Sequence, residues 1–444
     1  MSNRNGLVTR RDFMKTAGAV AAAPLIVPSS VLGQRAGTVA PSDKVAIAGI
    51  GIGSRGMASV NTVLRYEDVR FVAICDLKRE RRELVKKLVD ERYETSDCMM
   101  YAYHEEVLAR PDIDAVIIAT PEFWHAPLSV QSAYAGKDVF CEKPCSMTIQ
   151  ESRALADAIR RTGRIYQAGT QRRNGPNFVW AVEAARTGKL GKLQTVHANV
   201  GTYLMWPPIP SKDWLPAEPE LRKEVFDWDR WLGPCPWRPY NSFYVTGGGG
   251  WTNWYDFHGG GILEWGSHTV DLCQWAADCD ETHAIEYVPE GANGAPYQVH
   301  CTYPNGVKLV MRDGNNLGER LPNDGWLGMG SCSVRFEGDS GWVETGDGGK
   351  IAVSDDLRGE APERLSDRLV LDNHWRDFIW CIKTRSQPRA NADRACNSHI
   401  TCHAAYIAFE LGRKLTWDPA KEEFVNDAEA NRMRSRAVRK PWAI

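Results

Sequence analysis

The chain has 444 residues, too many for one ordinary core and enough for two domains with extensions. Hydrophobic residues make up 43% and charged residues 25%, and 54 Lys+Arg against 56 Asp+Glu leave a net charge of −2. That balance gives no footprint for nucleic acid or an anionic membrane surface, and no apolar run beyond the extreme N-terminus is long enough for a stable membrane span.

The chain opens with an address. Thr9-Arg10-Arg11-Asp12-Phe13-Met14-Lys15 precedes a weakly apolar stretch from Thr16 to Leu32, the pattern of a twin-arginine (Tat) signal over residues 1–33. The Tat translocase is therefore an expected partner, and export the expected fate. Because that route carries folded proteins, a cofactor can be loaded before export and kept tightly bound. Residues 34–42 read as a linker.

From 43 to 168, buried strands alternate with helices. Lys44–Ile50, Val69–Cys75, Asp114–Ala119, Asp138–Cys141 and Ile165–Ala168 are apolar runs. Helices are expected from about 57, over 78–92, 125–135 and 148–162. This grammar predicts a doubly wound parallel sheet, a Rossmann domain in an α/β chain. Between the first strand and its helix stands Gly51-Ile52-Gly53-Ser54-Arg55-Gly56. In that context G-x-G-x-x-G is a dinucleotide fingerprint. Gly51 permits the tight turn, Gly53 lets a pyrophosphate approach the backbone, and Gly56 permits close helix–strand packing; Ser54 and Arg55 lie within the loop. Asp76 ends the second strand, where a carboxylate accepts from the adenosine ribose and repels a 2′-phosphate. NAD is expected; Lys78 and Arg79 nearby keep NADP open.

After 169 the pattern changes to an α+β domain reaching 415, with a mostly antiparallel open sheet. A helix near 176–187 leads to a strand over 193–203. Shorter strands follow at 283–288, 297–303, 307–312, 332–337, 341–345 and 350–354, then helices at 374–384 and 393–414. A helix is expected from about Ile262 to Ala276. Between them lies an insertion, 204–258, rich in Pro and Trp; nine of the 17 tryptophans fall between 206 and 275. Indole faces suit sugar rings as well as core packing, which makes Trp251 and Trp254 candidate substrate contacts. Residues 416–444 read as a surface tail. The twelve cysteines include no C-x-x-C pair, and a disulfide or two after export stays open.

The third strand ends in Ala119-Thr120-Pro121 with His125 close behind, and the fourth in Cys141-Glu142-Lys143-Pro144. These motifs, in this order after the fingerprint, resemble the glucose–fructose oxidoreductase/inositol dehydrogenase/MocA family. The stretch from Gly259 to Asp271 is similar to that family's catalytic helix, D-x-G-x-H-x-x-D, with Glu264 where Asp is usual. The resemblance implies Lys143 at the substrate hydroxyl and His268 as its proton partner, with Glu264 holding His268 or touching substrate. It also implies that Thr120, Pro121, His125, Glu142 and Gln171 lie along the cofactor, that Arg172 and Asp271 are near substrate, that Lys143–Pro144 is a candidate cis bond, and that subunits associate as dimers or tetramers. Elementary chemistry agrees: hydride leaves a carbinol carbon as its hydroxyl proton is lost, and a cation beside that oxygen stabilises the developing charge. His399 and His403 share a helix face without a third ligand, so they read as structural and no metal is expected. The expected activity is NAD-dependent oxidation or reduction of a sugar, sugar derivative or cyclitol. An NAD-dependent glycoside cleavage by oxidation, elimination, hydration and re-reduction is the alternative.

Overall fold

The computed structural model describes residues 40, 43–201, 211–290, 298–312, 329–365 and 370–444. The signal expected over 1–33, nearly all of the 34–42 linker and the start of the 204–258 insertion lie outside the described residues.

In the N-terminal half, β1 (Val45–Ile50), β2 (Val69–Cys75), β3 (Met99–Tyr101), β4 (Ala115–Ile118), β5 (Asp138–Cys141) and β6 (Tyr166–Ala168) form one sheet in the order β3-β2-β1-β4-β5-β6. Every pairing is parallel. Helices cover both faces of such a sheet, so its central strands read as continuous apolar runs, and β4 is buried along its whole length. The doubly wound sheet expected from the sequence is present. The chain reverses its winding direction between β1 and β4, and ligands bind at the carboxyl edge of such a switch point. The loops after β1, β2, β4 and β5 carry the fingerprint, Asp76, Thr120-Pro121 and Glu142-Lys143, so the topology gathers all four at one edge. Only β3, a short edge strand with Met99 and Met100 exposed, had no signal in the sequence.

The second sheet has nine strands in the order β13-β12-β11-β7-β10-β9-β8-β14-β15. It contains β7 (Leu193–Asn199), β8 (Glu286–Glu290), β9 (Gln298–Thr302), β10 (Lys308–Arg312), β11 (Val334–Gly338), β12 (Trp342–Thr345), β13 (Ile351–Val353), β14 (Leu415–Asp418) and β15 (Glu423–Phe424). Its pairings are antiparallel except β7 with β10. The helices Pro176–Arg186, Gly266–Ala276 and Ala392–Leu411 pack one core against it.

Three local expectations change. The tail read as a surface extension from 416 completes β14 and adds β15, and Trp442 is buried with its ring edge-on to Trp124, centroids 4.9 Å apart. The helix expected from Ile262 to Ala276 is broken at Trp265 into Gly261–Glu264 and Gly266–Ala276. And part of the insertion is core: Phe226, Trp228, Trp231, Tyr240, Tyr244, Trp254 and Phe257 are buried together with Phe123, Trp124 and Leu128 of the Rossmann domain, while Trp214 and Trp237 stay exposed. Trp228 stacks on Trp231 at 5.0 Å, and Trp231 meets Phe123 edge-on at 5.2 Å. All twelve cysteines are buried, and the structure pairs none of them.

Candidate active site

The fingerprint loop has the backbone its sequence requires. Gly51 adopts φ +69°, and a Cβ there would sit 2.3 Å from Thr120 Cγ2. A Cβ on Gly56 would come within 2.8 Å of the Ala119 Cβ, so only glycine lets this helix approach β4. Gly53 faces open space, and the helix Ser54–Val63 starts from it without a side-chain cap. Its first amides are left to a ligand, and the helix dipole favours an anionic one.

These residues open onto a cavity of about 530 Å³. Its walls include Gly51, Gly53, Ser54, Arg55, Asp76, Thr120, Pro121, His125, Glu142, Lys143, Trp251 and Glu264, twelve of the positions expected from the sequence. Asp76 is held for its role: its Oδ1 accepts from the Lys78 backbone N–H at 2.9 Å, and burial lifts its carboxyl above the ordinary aspartate value. Arg55 Nε donates to Glu142 Oε1 at 3.0 Å, linking the phosphate loop to the Glu-Lys-Pro motif. The two ring nitrogens of His125 face the carbonyls of Pro144 (2.7 Å) and Thr120 (2.9 Å), tying the two motif loops together. The Lys143–Pro144 bond is cis. Thr120 Oγ1 and the second Glu142 oxygen are buried with no partner among the described residues. A glycine cradle, free helix amides, a ribose-type carboxylate and orphaned polar atoms on one cavity wall fit a nicotinamide dinucleotide.

At the far end of the cavity stands Lys143. Its Nζ forms an ion pair with Glu264 Oε1 and also donates to the Glu264 carbonyl at 3.3 Å. The break at Trp265 is what turns that carbonyl out of the helical ladder. Burial alone would raise the Glu264 carboxyl, but Lys143 and His258 outweigh it and hold it well below the usual carboxylate range. Glu264 pairs with Lys143, not with His268, where the sequence had allowed it to hold that ring.

His268 has a different partner. Its Nε2 accepts from Arg172 Nη1 at 3.0 Å, and Arg172 is clamped by Asp347 through Nε (3.1 Å) and Nη2 (2.7 Å). Burial, then the charge of Arg172, pushes the imidazole well below 6.5. The ring is neutral with Nε2 engaged, so its proton sits on Nδ1, a buried atom without a partner among the described residues. Gln171, with its amide oxygen turned toward the guanidinium groups, accepts from both Arg55 and Arg172 at 2.9 Å. None of His268, Arg172 and Gln171 lines the cavity; they form a support beside it.

Two expected substrate residues lie elsewhere. Trp254 is buried edge-on to Tyr244, centroids 4.9 Å apart, because the insertion folds it into the aromatic core. Asp271 is fully engaged by Arg173, through Nε (2.6 Å) and Nη2 (2.9 Å), with Asp280 on the other side of the guanidinium. Arg173 and Asp271 are each 1% exposed, so this is a structural ion pair. Asp271→Ala leaves a buried guanidinium half-compensated and should lower unfolding stability by about 3 kcal/mol; denaturant midpoints of the two proteins check it.

Glu122 and His258 carried no signal of their own in the sequence, though both border marked features: Glu122 follows Thr120-Pro121 and His258 precedes three glycines. Glu122 lines the cavity. His258 Nδ1 lies 2.9 Å from Glu122 Oε1, and Glu122 Oε2 accepts from the Gly259 N–H at 3.1 Å. Donor-type atoms of Glu122, His258 and Glu264 fall within 4.8 Å of one another. His258 is engaged by Glu122, Glu122 also by Gly259, and Glu264 by Lys143. His399 accepts the Cys145 N–H at 3.1 Å through Nε2, and His403 Nε2 meets Ser146 Oγ at 3.2 Å. Both pin the chain just after Lys143-Pro144.

Comparison with known proteins adds three matches to sequence families. Residues 44–170 match the oxidoreductase family with an NAD-binding Rossmann fold, and residues 195–327 and 334–444 match its C-terminal alpha/beta domain. Residues 7–26 match the twin-arginine translocation signal, which places the chain on that export route. Among curated relatives, a glycosyl hydrolase family 109 protein of Shewanella putrefaciens is 31% identical over 220 residues, 45% of this chain and 47% of that protein. The chain thus spans about half the length of such relatives. Among solved structures, an oxidoreductase domain protein from Kribbella flavida aligns with TM-score 0.60 and 16% identity over 86% of this chain and all of its own. Myo-inositol 2-dehydrogenase from Lactobacillus plantarum aligns with TM-score 0.58 and 16% identity, covering 84% of this chain and 99% of its own. At that identity these two share the fold.

Proposed function

Because this chain belongs to the Gfo/Idh/MocA oxidoreductase family, we propose that it is an exported enzyme passing hydride between a tightly held NAD and a hydroxyl or keto carbon of a sugar, sugar derivative or cyclitol. The observation that carries this reading is the Lys143–Glu264 pair in the same cavity as Gly51, Gly53 and Asp76. The free amides after Gly53 would hold the pyrophosphate, Asp76 the adenosine ribose, and Thr120 and Glu142 the nicotinamide half. Bound NAD supplies a hydride acceptor; the chain's residues manage the proton and the charge.

In the oxidation direction, Lys143 stands as an ammonium against Glu264. Once Nζ has lost one proton to solvent, the amine would take the proton of the substrate hydroxyl, and the ammonium so formed, held by the Glu264 carboxylate, would stabilise the oxygen as its charge develops. His268, neutral with its proton on Nδ1, is a hydrogen-bond donor rather than a base, and Arg172 and Asp347 fix that state. NAD is favoured over NADP by the Asp76 carboxylate itself and by the commitment of Lys78, whose Nζ donates to the Val245 carbonyl at 2.7 Å; Arg79 is taken by Glu83 and Arg82 by the Asp76 and Leu77 carbonyls, while Arg81 lines the cavity. The purified exported protein should keep its nicotinamide through dialysis and show a change in the reduced-nicotinamide absorbance when a sugar or cyclitol from a panel is added. Cofactor that washes out removes the retention; a loaded protein that exchanges hydride with no polyol removes the activity.

The relatives named glycosyl hydrolase family 109 favour one second reading. The same Lys143 chemistry, run forward and back around an elimination, would cleave a glycoside with no net consumption of NAD. Release of the leaving group from aryl glycosides without added nucleotide distinguishes it from simple oxidation.

A further inference from the structure

The dinucleotide cavity has a wall that the Rossmann motifs do not supply. Beyond Asp76 it is bounded by Phe226, Arg230, Trp231, Val245, Thr246 and Gly247, all from the insertion. The base of this wall is rigid. Trp231 belongs to the buried aromatic cluster, and its carbonyl accepts from Trp124 Nε1 at 3.1 Å. Arg230 pairs with Glu105 and lies 4.7 Å over the Tyr103 ring. The rim is different. Thr246 and Gly247 are exposed, and Gly247 takes φ +117°. Lys78, just past the ribose-type carboxylate, joins rim to Rossmann domain: its backbone N–H holds Asp76 Oδ1 and its ammonium holds the Val245 carbonyl.

We infer that residues 245–247, latched by Lys78, are part of the cofactor site: they close its adenosine end, slow the departure of the dinucleotide, and select against a 2′-phosphate. The inference rests on the nicotinamide-dinucleotide reading above and supplies the retention that an exported enzyme needs. A charge-assisted bond to a carbonyl is stronger than a neutral one, so the latch is a substantial tie on an otherwise thin loop. A 2′-phosphate would face the Asp76 carboxylate, and to gain Lys78 beside the cavity-lining Arg81 it would have to take that ammonium away from Val245. NADP would therefore sit with the latch open. The mononucleotide half of the cofactor, lacking adenosine, would not engage the rim at all.

The test is release of reduced cofactors from the exported protein, followed by fluorescence on displacement with excess NAD. NADH, NADPH and reduced nicotinamide mononucleotide are compared in the unmodified protein and in Lys78→Ala, with Lys78→Met as the variant that keeps the alkyl stem and hence the packing. The latch predicts NADPH leaving faster than NADH from the unmodified protein. It also predicts NADH release at least tenfold faster in both variants, and mononucleotide release changed less than twofold. Unchanged NADH release overturns it. So does NADPH leaving more slowly than NADH and being speeded selectively by the substitutions, because Lys78 would then be a phosphate ligand. A polyol panel run on the same samples separates the two readings. Hydride exchange with unchanged release removes the latch alone; latch behaviour without hydride exchange removes the oxidoreductase activity alone. Failure to bind NADH removes both.

Discussion

Lys143→Ala should lower hydride transfer by about 10³-fold while the protein still binds NADH. The size follows from what the ammonium does. It forms the ion pair with Glu264, and it lines the cavity that holds the fingerprint loop. Without it, charge that develops on the substrate oxygen meets no counter-charge, and the oxygen faces Glu122 and Glu264 instead. The substitution has a second effect. Removing Lys143 takes away the main attraction holding the Glu264 carboxyl down, so that group will take up a proton more readily and the local charge will partly reset. Lys143→Met, which keeps the stem in place, controls for packing. Glu264→Gln separates charge from contact: it keeps a hydrogen-bond partner for Nζ but removes the negative charge that holds the ammonium in place, and should cost about 10²-fold. Single-turnover absorbance of bound nicotinamide, read beside NADH affinity, checks all three. Turnover in Lys143→Ala within a few-fold of the unmodified protein would falsify the assignment.

Much of this site was legible because parallel-sheet topology converts order along the chain into position in space. Four motifs that each follow a strand must meet at one edge, whatever lies between them. Lys143, Asp76 and the glycines could therefore be placed from single-sequence patterns. What the sequence did not reveal are pairings that no local pattern encodes. Arg172 finds His268 across 96 positions, and Glu122 finds His258 across 136. Asp271 looked like a substrate contact because it shares a helix with His268, but nothing local says that a buried Arg173 will claim it. The broken helix had a faint signal in Trp265-Gly266, since glycine weakens a helix interior. The consequence, a Glu264 carbonyl shared by Lys143 and the Ser267 hydroxyl, depends on the fold. Trp254 was misplaced for a related reason: an indole that suits a sugar face suits a core equally well, and only packing decides.

Between pH 7 and pH 5 the protein should lose stability on the order of 4 kcal/mol, well before its ordinary carboxylates are protonated. Seven histidines drive this. Burial pushes His374 down to about 3 and His283 and His399 down to about 4, burial with neighbouring positive charge pushes His268 and His403 well below 6.5, and burial also lowers His104 and His197. Two of them show how bonds hold the neutral state: His283 accepts from Trp417 Nε1 at 3.4 Å and donates to Asn397 Oδ1 at 3.1 Å, and His399 donates to the Ala395 carbonyl while accepting from Cys145. In the unfolded chain the same rings take a proton near 6.5. Below that value the unfolded state binds more protons than the folded one, so stability falls as pH falls toward the folded values, and is fully present above 6.5. Each histidine contributes up to about 1.4 kcal/mol per pH unit across that window. Asp76, Glu151 and Asp271 oppose the trend, since burial raises their carboxyls and the folded state then binds extra protons as pH falls, which is why the sum is set well below the histidines' combined maximum. Thermal midpoints in matched ionic strength should drop by about 5 °C or more from pH 7 to pH 5. His283→Gln, remote from the cavity, should flatten the slope by roughly one histidine's share. Equal midpoints at the two pH values would mean that these rings take protons inside the fold, and the neutral state assigned to His268 would lose its support with them.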